Sequence, residues 1–243
     1  MTAFAAISEV TFRALLGRRR TILLVLLAGI PVLVAVLARI GGARLDEALV
    51  PILELGVRTV VPLTALVFGT SALGSELEDG TAVFLLAKPV PRWITAAAKI
   101  LVAGLLASAL SVASTVLTGL LIAGGDAEDL ATTFAFARAN IAASFAYAAL
   151  FVALSVVTTR ALIIGLAYTL IWEGVLAGIL PGTRAFSIRE ATLAIAEALA
   201  PITAGIDGDV EAAGGITLVV IVLLGSLALT ASRLARFEVR GTE

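Results

Sequence analysis

The chain has 243 residues, of which 60% are hydrophobic and 14% are charged, and its net charge is −1. Soluble domains have about 45–50% apolar and about 25% charged residues, so this composition excludes an ordinary soluble domain and predicts an all-α protein with several membrane spans. The sequence has no Cys and no His, which excludes thiol nucleophiles, imidazole bases and the usual transition-metal ligands. A net charge close to zero also gives no reason to expect a nucleic-acid partner.

Residues 1–17 have apolar side chains along one helical face, which predicts a short amphipathic helix on the inner membrane surface. Six apolar stretches follow, each suited to crossing a hydrocarbon core of about 30 Å, which takes about 20 residues. These stretches cover residues 21–38, 51–74, 94–123, 139–157, 161–180 and 215–231. We therefore expect residues 1–243 to form a single transmembrane domain with six spans.

Most of the 17 Lys and Arg residues lie in segments on the same side of the membrane as the N-terminus, beginning with Arg18, Arg19 and Arg20. Because cytoplasmic segments carry the excess of basic residues, both termini are predicted to lie in the cytoplasm. We expect a multi-pass protein of a bacterial cytoplasmic (inner) membrane, in contact with membrane lipids.

Residues 75–92, SELEDGTAVFLLAKPVPR, form the one long charged segment between apolar stretches. Its acidic residues lie at the start and its basic residues at the end. Gly80 permits a sharp turn and Thr81 can cap a short helix, while Pro89 and Pro91 stop that helix from continuing into the third stretch. These features predict a stiff amphipathic connection at the inner surface.

This segment resembles the loop after the second span of type-2 ABC exporter permeases, which has the same E-x-E-x-G-T and K-P-x-x-R patterns. The resemblance implies the fold of those permeases and a cytoplasmic coupling loop over residues 75–92, which transmits motion from an ATPase subunit. The coupling residues that it implies are Glu76, Glu78, Asp79, Gly80, Thr81, Phe84, Leu85, Lys88, Pro89 and Arg92.

The same resemblance implies two protein partners, an ABC ATPase subunit and a second permease subunit that is identical or related. ATP and Mg are then expected on the ATPase subunit, and no cofactor is expected on this chain. The sequence has no GxxxxGK[ST] phosphate-binding loop, so we do not expect it to be an enzyme by itself. The implied function is export of a lipid, a drug or another hydrophobic small molecule.

Three charged residues fall inside the predicted spans, where a charge costs roughly 2.5–3.5 kcal/mol and needs a partner or water. Glu54 and Arg58 are four residues apart in the second stretch and share a helical face. Glu173 lies in the fifth stretch, and a rise of 1.5 Å per residue places it and Arg58 about 10 Å from the outer ends of their spans. We expect Arg58 to bridge Glu54 and Glu173, either to lock two helices together or to line a substrate path.

Residues 181–214 are too polar to span and are predicted to form an outer helical segment. Ser187 and Glu190 have the spacing of a capping box, and Pro201 follows the end of the predicted helix. The apolar stripe on this helix is Ile188, Thr192, Ile195 and Leu199. The pattern fits a helix that dips into the outer leaflet as well as a helix that lies on the surface.

Small residues at helical spacing predict close helix packing in two spans. Gly174 and Gly178 form a GxxxG pattern in the fifth stretch. The third stretch has a row made of Ala103, Ala107, Ser111 and Thr115.

Two other classes of membrane protein stay open from the residues alone. A lipid-modifying enzyme would use Glu76, Glu78 and Asp79 as Mg²⁺ ligands, although the other inner segments offer no second acidic group for such a site. An ion-coupled secondary transporter would show paired inverted repeats, and the sequence shows no such repeats.

Overall fold

The computed structural model describes residues 3–78, 90–206 and 210–236. Within these residues all regular structure is helical. The α-helices are Ala3–Leu15, Arg18–Ile40, Leu45–Leu55, Val61–Glu78, Arg92–Ala123, Ala127–Val157, Ala161–Ala167, Ala177–Ile179, Ile188–Leu199 and Ala212–Ala235. Two π-helical segments are Gly56–Val60 and Tyr168–Leu176, and two 3₁₀ segments are Pro181–Phe186 and Ile202–Ala204.

In the described part of the chain, six helical segments are long and apolar enough to cross a membrane, which confirms the predicted number and order of spans. They are Arg19–Ile40, Glu47–Gly74, Arg92–Ala123, Ala127–Val157, Ala161–Ile179 and Ala212–Ala235. We refer to them in chain order as the first to the sixth span. Following the predicted orientation, we call the end of the bundle at Glu78 and Arg92 the inner end, and the end at Gly41 the outer end.

The fourth span begins at Ala127, twelve residues before its predicted start. Asp126 caps this helix, since its Oδ1 accepts hydrogen bonds from the backbone N–H groups of Glu128 at 2.9 Å and Asp129 at 3.1 Å. The acidic first turn also interacts favourably with the positive end of the helix dipole. Glu128 and Asp129 have the polarity of a loop, but they form part of the first turn of this long helix.

The third and fourth spans form the centre of the bundle, and the row of small residues on the third span lies between them. Ala103, Ala107, Ser111 and Thr115 are all buried. Ser111 Oγ lies 3.1 Å from Ser144 Oγ, and Asn140 Nδ2 donates to Thr115 Oγ1 at 2.8 Å. The predicted packing role of this row is confirmed, and it operates within one subunit.

The N-terminal helix Ala3–Leu15 packs against the second and third spans. Thr11 and Leu15 are buried on its inward face. Glu9 and Arg13 form an exposed ion pair at 2.6 Å on its other side. The helix is thus amphipathic, as the residue pattern predicts.

The buried apolar side chains form two clusters, one in each half of the bundle. Leu24, Phe68 and Phe151 belong to the inner cluster, and Ala35 and Phe136 belong to the outer one. We call the helix Ile188–Leu199 the outer helix. Its first residue packs in the inner cluster, whereas Leu193 and Ala196 pack in the outer cluster.

The outer helix is therefore inserted into the bundle and does not lie on its surface. It contacts the fourth and sixth spans. Every side chain from Ser187 to Ala194 is buried, including Arg189 at 8% and Glu190 at 4% exposure. The predicted apolar stripe describes this burial poorly, because the helix is surrounded on most sides and only its last turn, at Leu199, is exposed.

Candidate functional site

The predicted coupling segment lies largely outside the described residues. The helix of the second span continues to Glu78, and the third span begins at Arg92, so the segment joins two neighbouring spans at the inner end. Of the implied coupling residues, Asp79, Gly80, Thr81, Phe84, Leu85, Lys88 and Pro89 lie in the range 79–89, which is not described. The side chains of Glu76 and Glu78 are not described either, and the coupling role of the segment stays a prediction.

Glu54 and Arg58 form an ion pair on the outward face of the second span. Arg58 Nη2 donates to Glu54 Oε2 at 2.7 Å. The pair is not buried, since 51% of the Arg58 side chain and 20% of the Glu54 side chain are exposed. The Arg58 guanidinium is therefore accessible from outside this chain, and Glu54 is partly covered beside it.

The predicted bridge from Arg58 to Glu173 is wrong. Glu173 is only 3% exposed, and its carboxylate is held by the beginning of the outer helix. It accepts hydrogen bonds from the backbone N–H groups of Ile188 at 3.0 Å and Arg189 at 3.4 Å, and from Ser187 Oγ. Equal depth along two spans does not bring two side chains together when one of them points into the bundle and the other points out.

The start of a helix is a favourable place for a carboxylate. The first backbone N–H groups of a helix have no partner within it, and the helix dipole places partial positive charge there. Glu173 satisfies two of these groups in the outer helix, and charge-assisted hydrogen bonds of this kind are stronger than neutral ones. The carboxylate is thus a cap that ties the fifth span to the outer helix.

A π-helical segment brings a fourth donor to the same carboxylate. Tyr168 Oη donates to Glu173 Oε1 at 2.9 Å, across five residues. Residues five apart stack on one side of a π-helix, which has i→i+5 hydrogen bonds, and Tyr168–Leu176 has this form. Arg58 also lies in a π-helical segment, Gly56–Val60, so both intramembrane sites coincide with local widening of a span.

The capping box predicted at Ser187 and Glu190 is half present. Ser187 Oγ accepts from the backbone N–H of Glu190 at 3.1 Å, as expected. The reciprocal bond is absent, because the Ser187 N–H donates to the Arg184 carbonyl. Glu190 Oε1 instead accepts from Arg189 Nε at 3.0 Å, and this ion pair is almost fully buried.

The GxxxG pattern of the fifth span does not pack against another of the described helices. Gly174 and Gly178 are exposed, and a Cβ built on Gly178 would meet no atom within 4 Å. The apolar side chains around them are also exposed, with Ile171 at 57% and Ile179 at 70%. The predicted helix-packing role is therefore not fulfilled among the described residues, and they leave the outward face of the fifth span exposed.

Several residues at these sites were missed by sequence reasoning. The partners of Tyr168 and Arg189 were not predicted, because they are set by the π-helix and by the insertion of the outer helix. Lys99 counts as a basic residue of an inner segment in the sequence, yet it lies inside the third span with 1% exposure. A lysine seven residues past Arg92, the start of a long apolar helix, is the signal that could have identified it.

Comparison with known proteins places this architecture in a family. A family model described as ABC-2 family transporter protein matches residues 5–240. No curated protein matches the chain. The match covers nearly the full sequence, including all six spans, the coupling segment and the outer helix. The chain therefore belongs to the ABC-2 family of transporter proteins.

Proposed function

We infer that this chain is the permease subunit of an ATP-binding cassette exporter of a lipid, a drug or another hydrophobic small molecule. The observation that carries this proposal is the exposed Glu54–Arg58 pair in a six-span chain of the ABC-2 family. ATP hydrolysis is supplied by a separate ATPase subunit, which binds ATP and Mg. The protein acts in a bacterial cytoplasmic membrane with both termini in the cytoplasm.

A second permease subunit completes the path. Each charge that faces lipid at the centre of a span costs roughly 2.5–3.5 kcal/mol, and Arg58 is half exposed. This cost is avoided if the face borders a water-filled path or another subunit. The open face of the fifth span around Gly174 and Gly178 supplies a surface on which helices can approach closely.

The segment 75–92 couples the ATPase subunit to the spans. Its acidic start and basic end set the register of docking on a soluble partner, since complementary charges determine orientation more than affinity. Phe84 and Leu85 provide apolar contact in the same interface. Because the segment joins the second span directly to the third, a push on it moves the helix that carries Arg58.

A charge exchange in the segment tests this proposal. The variant Glu78→Lys with Lys88→Glu keeps the composition and reverses both charges. In nanodiscs that contain the co-purified complex, we expect substrate-stimulated ATP hydrolysis and transport to fall together by at least tenfold, while the ATPase subunit still binds nucleotide. Docking of the ATPase subunit depends on the positions of these charges, so the exchange should reduce ATP hydrolysis and transport together.

The matched control is Glu9→Lys with Arg13→Glu, which exchanges the charges of an exposed pair on the N-terminal helix. We expect this variant to keep wild-type activity. Equal activity of the two exchanged variants would remove the segment from the mechanism. Failure of the wild-type chain to co-purify with any ATPase subunit would contradict the exporter proposal itself.

A further inference from the structure

A cavity of about 510 Å³ opens at the inner end of the bundle, between the first, second, fourth and fifth spans. Its lining residues include two arginines, Arg20 of the first span and Arg160 of the turn before the fifth span. The same turn contributes Thr158 and Thr159. The described residues that line the cavity include no Asp and no Glu, so the charge of this described lining is positive.

Neither arginine is neutralised by the described part of the chain. Arg13, Arg58 and Arg189 each form an ion pair with a glutamate, whereas no described carboxylate lies within ion-pair distance of Arg20 or Arg160. Two cations that share one cavity repel each other, and the repulsion is relieved when an anion binds between them. The described lining of this cavity therefore favours an anionic ligand.

The donors suit a phosphate group. Arginine presents a planar fork of N–H groups that binds phosphate oxygens in pairs. The Thr158 hydroxyl oxygen accepts from the backbone N–H of Arg160 at 3.2 Å, which leaves its own hydrogen available to donate. Cavities of about 300–1,000 Å³ are the usual size for small ligands, and the volume here falls in that range.

The rim of the cavity distinguishes a lipid from a soluble anion. Leu162 and Ile163 follow Arg160 directly, and they are 50% and 65% exposed at the start of the fifth span. A ligand with a charged head group and acyl chains can place its phosphate between the arginines and its chains along these two residues. A small hydrophilic phosphate gains nothing from this apolar rim.

We propose that this cavity binds the phosphate group of an anionic phospholipid from the membrane leaflet at the inner end of the bundle. Arg20 and Arg160 hold the phosphate, and the hydroxyl groups of Thr158 and Thr159 add neutral donors. Basic pockets between membrane helices are known to bind lipid head groups in this way. The bound lipid links the first span to the fifth, and its binding does not depend on the transport function proposed above.

Native mass spectrometry of the purified chain tests the site without an ATPase partner. The chain is exchanged into detergent with equal amounts of phosphatidylglycerol and phosphatidylcholine, and the retained lipid is counted. We expect phosphatidylglycerol to be retained preferentially. The variant Arg20→Gln with Arg160→Gln should weaken this retention about tenfold or more, because charge-assisted hydrogen bonds are removed.

The control variant, Arg233→Gln with Arg236→Gln, removes the same charge from exposed positions at the inner end of the sixth span. It should retain phosphatidylglycerol as the wild type does. Equal losses in the two variants, or equal retention of the two lipids by the wild type, would overturn the proposal. If the cavity variant fails to insert, Arg160→Lys keeps the charge but loses the planar fork, and unchanged retention in this variant would also contradict the site.

A final experiment distinguishes binding of a lipid phosphate from binding of a water-soluble phosphate. Glycerol 1-phosphate and inorganic phosphate are added at millimolar concentration to the chain with bound phosphatidylglycerol. We expect neither to displace the lipid, because neither contacts the apolar rim. Displacement by either soluble compound would assign the cavity to a water-soluble phosphate and overturn the assignment to a lipid.

Discussion

At the scale of single residues, the two charged sites in the spans differ in burial and in the number of their partners. Glu173 is buried and is stabilised by four donors from Tyr168, Ser187 and the outer helix. Arg58 is exposed and has one partner, Glu54, among the described residues. A buried carboxylate needs its hydrogen bonds because an unsatisfied one is expensive, whereas an exposed pair contributes little to folding.

Replacing Glu173 by Gln should therefore lower the free energy of unfolding by about 2 kcal/mol. The amide keeps the shape, but its NH₂ group replaces an oxygen that accepts hydrogen bonds, so two donors then face each other. Thermal unfolding in detergent, followed by the fluorescence of Trp93 and Trp172, measures the change. The control Glu54→Gln should shift stability by at most about 1 kcal/mol, and equal shifts in the two variants would contradict the capping role of Glu173.

A double-mutant cycle tests whether the two sites are independent. Arg58→Ala and Glu173→Gln share no partner, so their effects on unfolding should add within about 0.5 kcal/mol. Arg58→Ala and Glu54→Gln remove the same ion pair and should not add. Rescue of Arg58→Ala by Glu173→Gln would show that the two residues do interact and would contradict the arrangement described here.

At the scale of elements, the outer helix fills much of the outer half of the bundle. It begins beside Glu173 in the interior and lies against the fourth and sixth spans. The contact with the sixth span is close at Gly215, where an added Cβ would lie 2.9 Å from the Ala191 carbonyl oxygen and 3.1 Å from its Cα. Only a residue without a side chain permits this approach of the two backbones.

Gly215→Ala should destabilise the protein by about 1–3 kcal/mol, because the added methyl group meets backbone atoms that cannot rotate away. The control is Gly225→Ala, ten residues further along the same helix, where a Cβ meets nothing within 4 Å. That change should be neutral or stabilise by up to about 1 kcal/mol through the higher helix propensity of alanine. Thermal unfolding of both variants in one detergent distinguishes them, and a stable Gly215→Ala protein would contradict the close contact.

At the scale of the whole molecule, six spans require that both termini lie on one side of the membrane. The basic residues predict that this side is the cytoplasm. The segment between the fifth and sixth spans is then on the outside, but much of it is not accessible, since Ser187 has 0% exposure. A probe for the outer side therefore needs a residue of this segment that the structure shows at the surface, and Thr203 is one.

Single cysteines report this topology well because the natural chain has none. We expect an impermeant maleimide to label Thr203→Cys from outside and Thr242→Cys from inside, in vesicles of opposite orientation. Ser187→Cys should resist labelling from both sides until the protein is denatured. Labelling of Thr203→Cys and Thr242→Cys from the same side would contradict the orientation, and rapid labelling of Ser187→Cys would contradict insertion of the outer helix.

The sequence by itself determined the all-helical class, the six spans, the packing row on the third span and the family, because these depend on composition, on stretches of about 20 apolar residues and on a local motif. It also identified Glu54, Arg58 and Glu173 as unusual. Only the tertiary structure decided that Arg58 points outward and that Glu173 caps the outer helix. Insertion of the outer helix gives Glu173 its partners, and insertion depends on contacts between residues far apart in the chain, such as Ala191 with Gly215. The inner cavity also depends on the tertiary structure, since Arg20 and Arg160 are 140 residues apart in the chain and line one cavity only in the folded bundle.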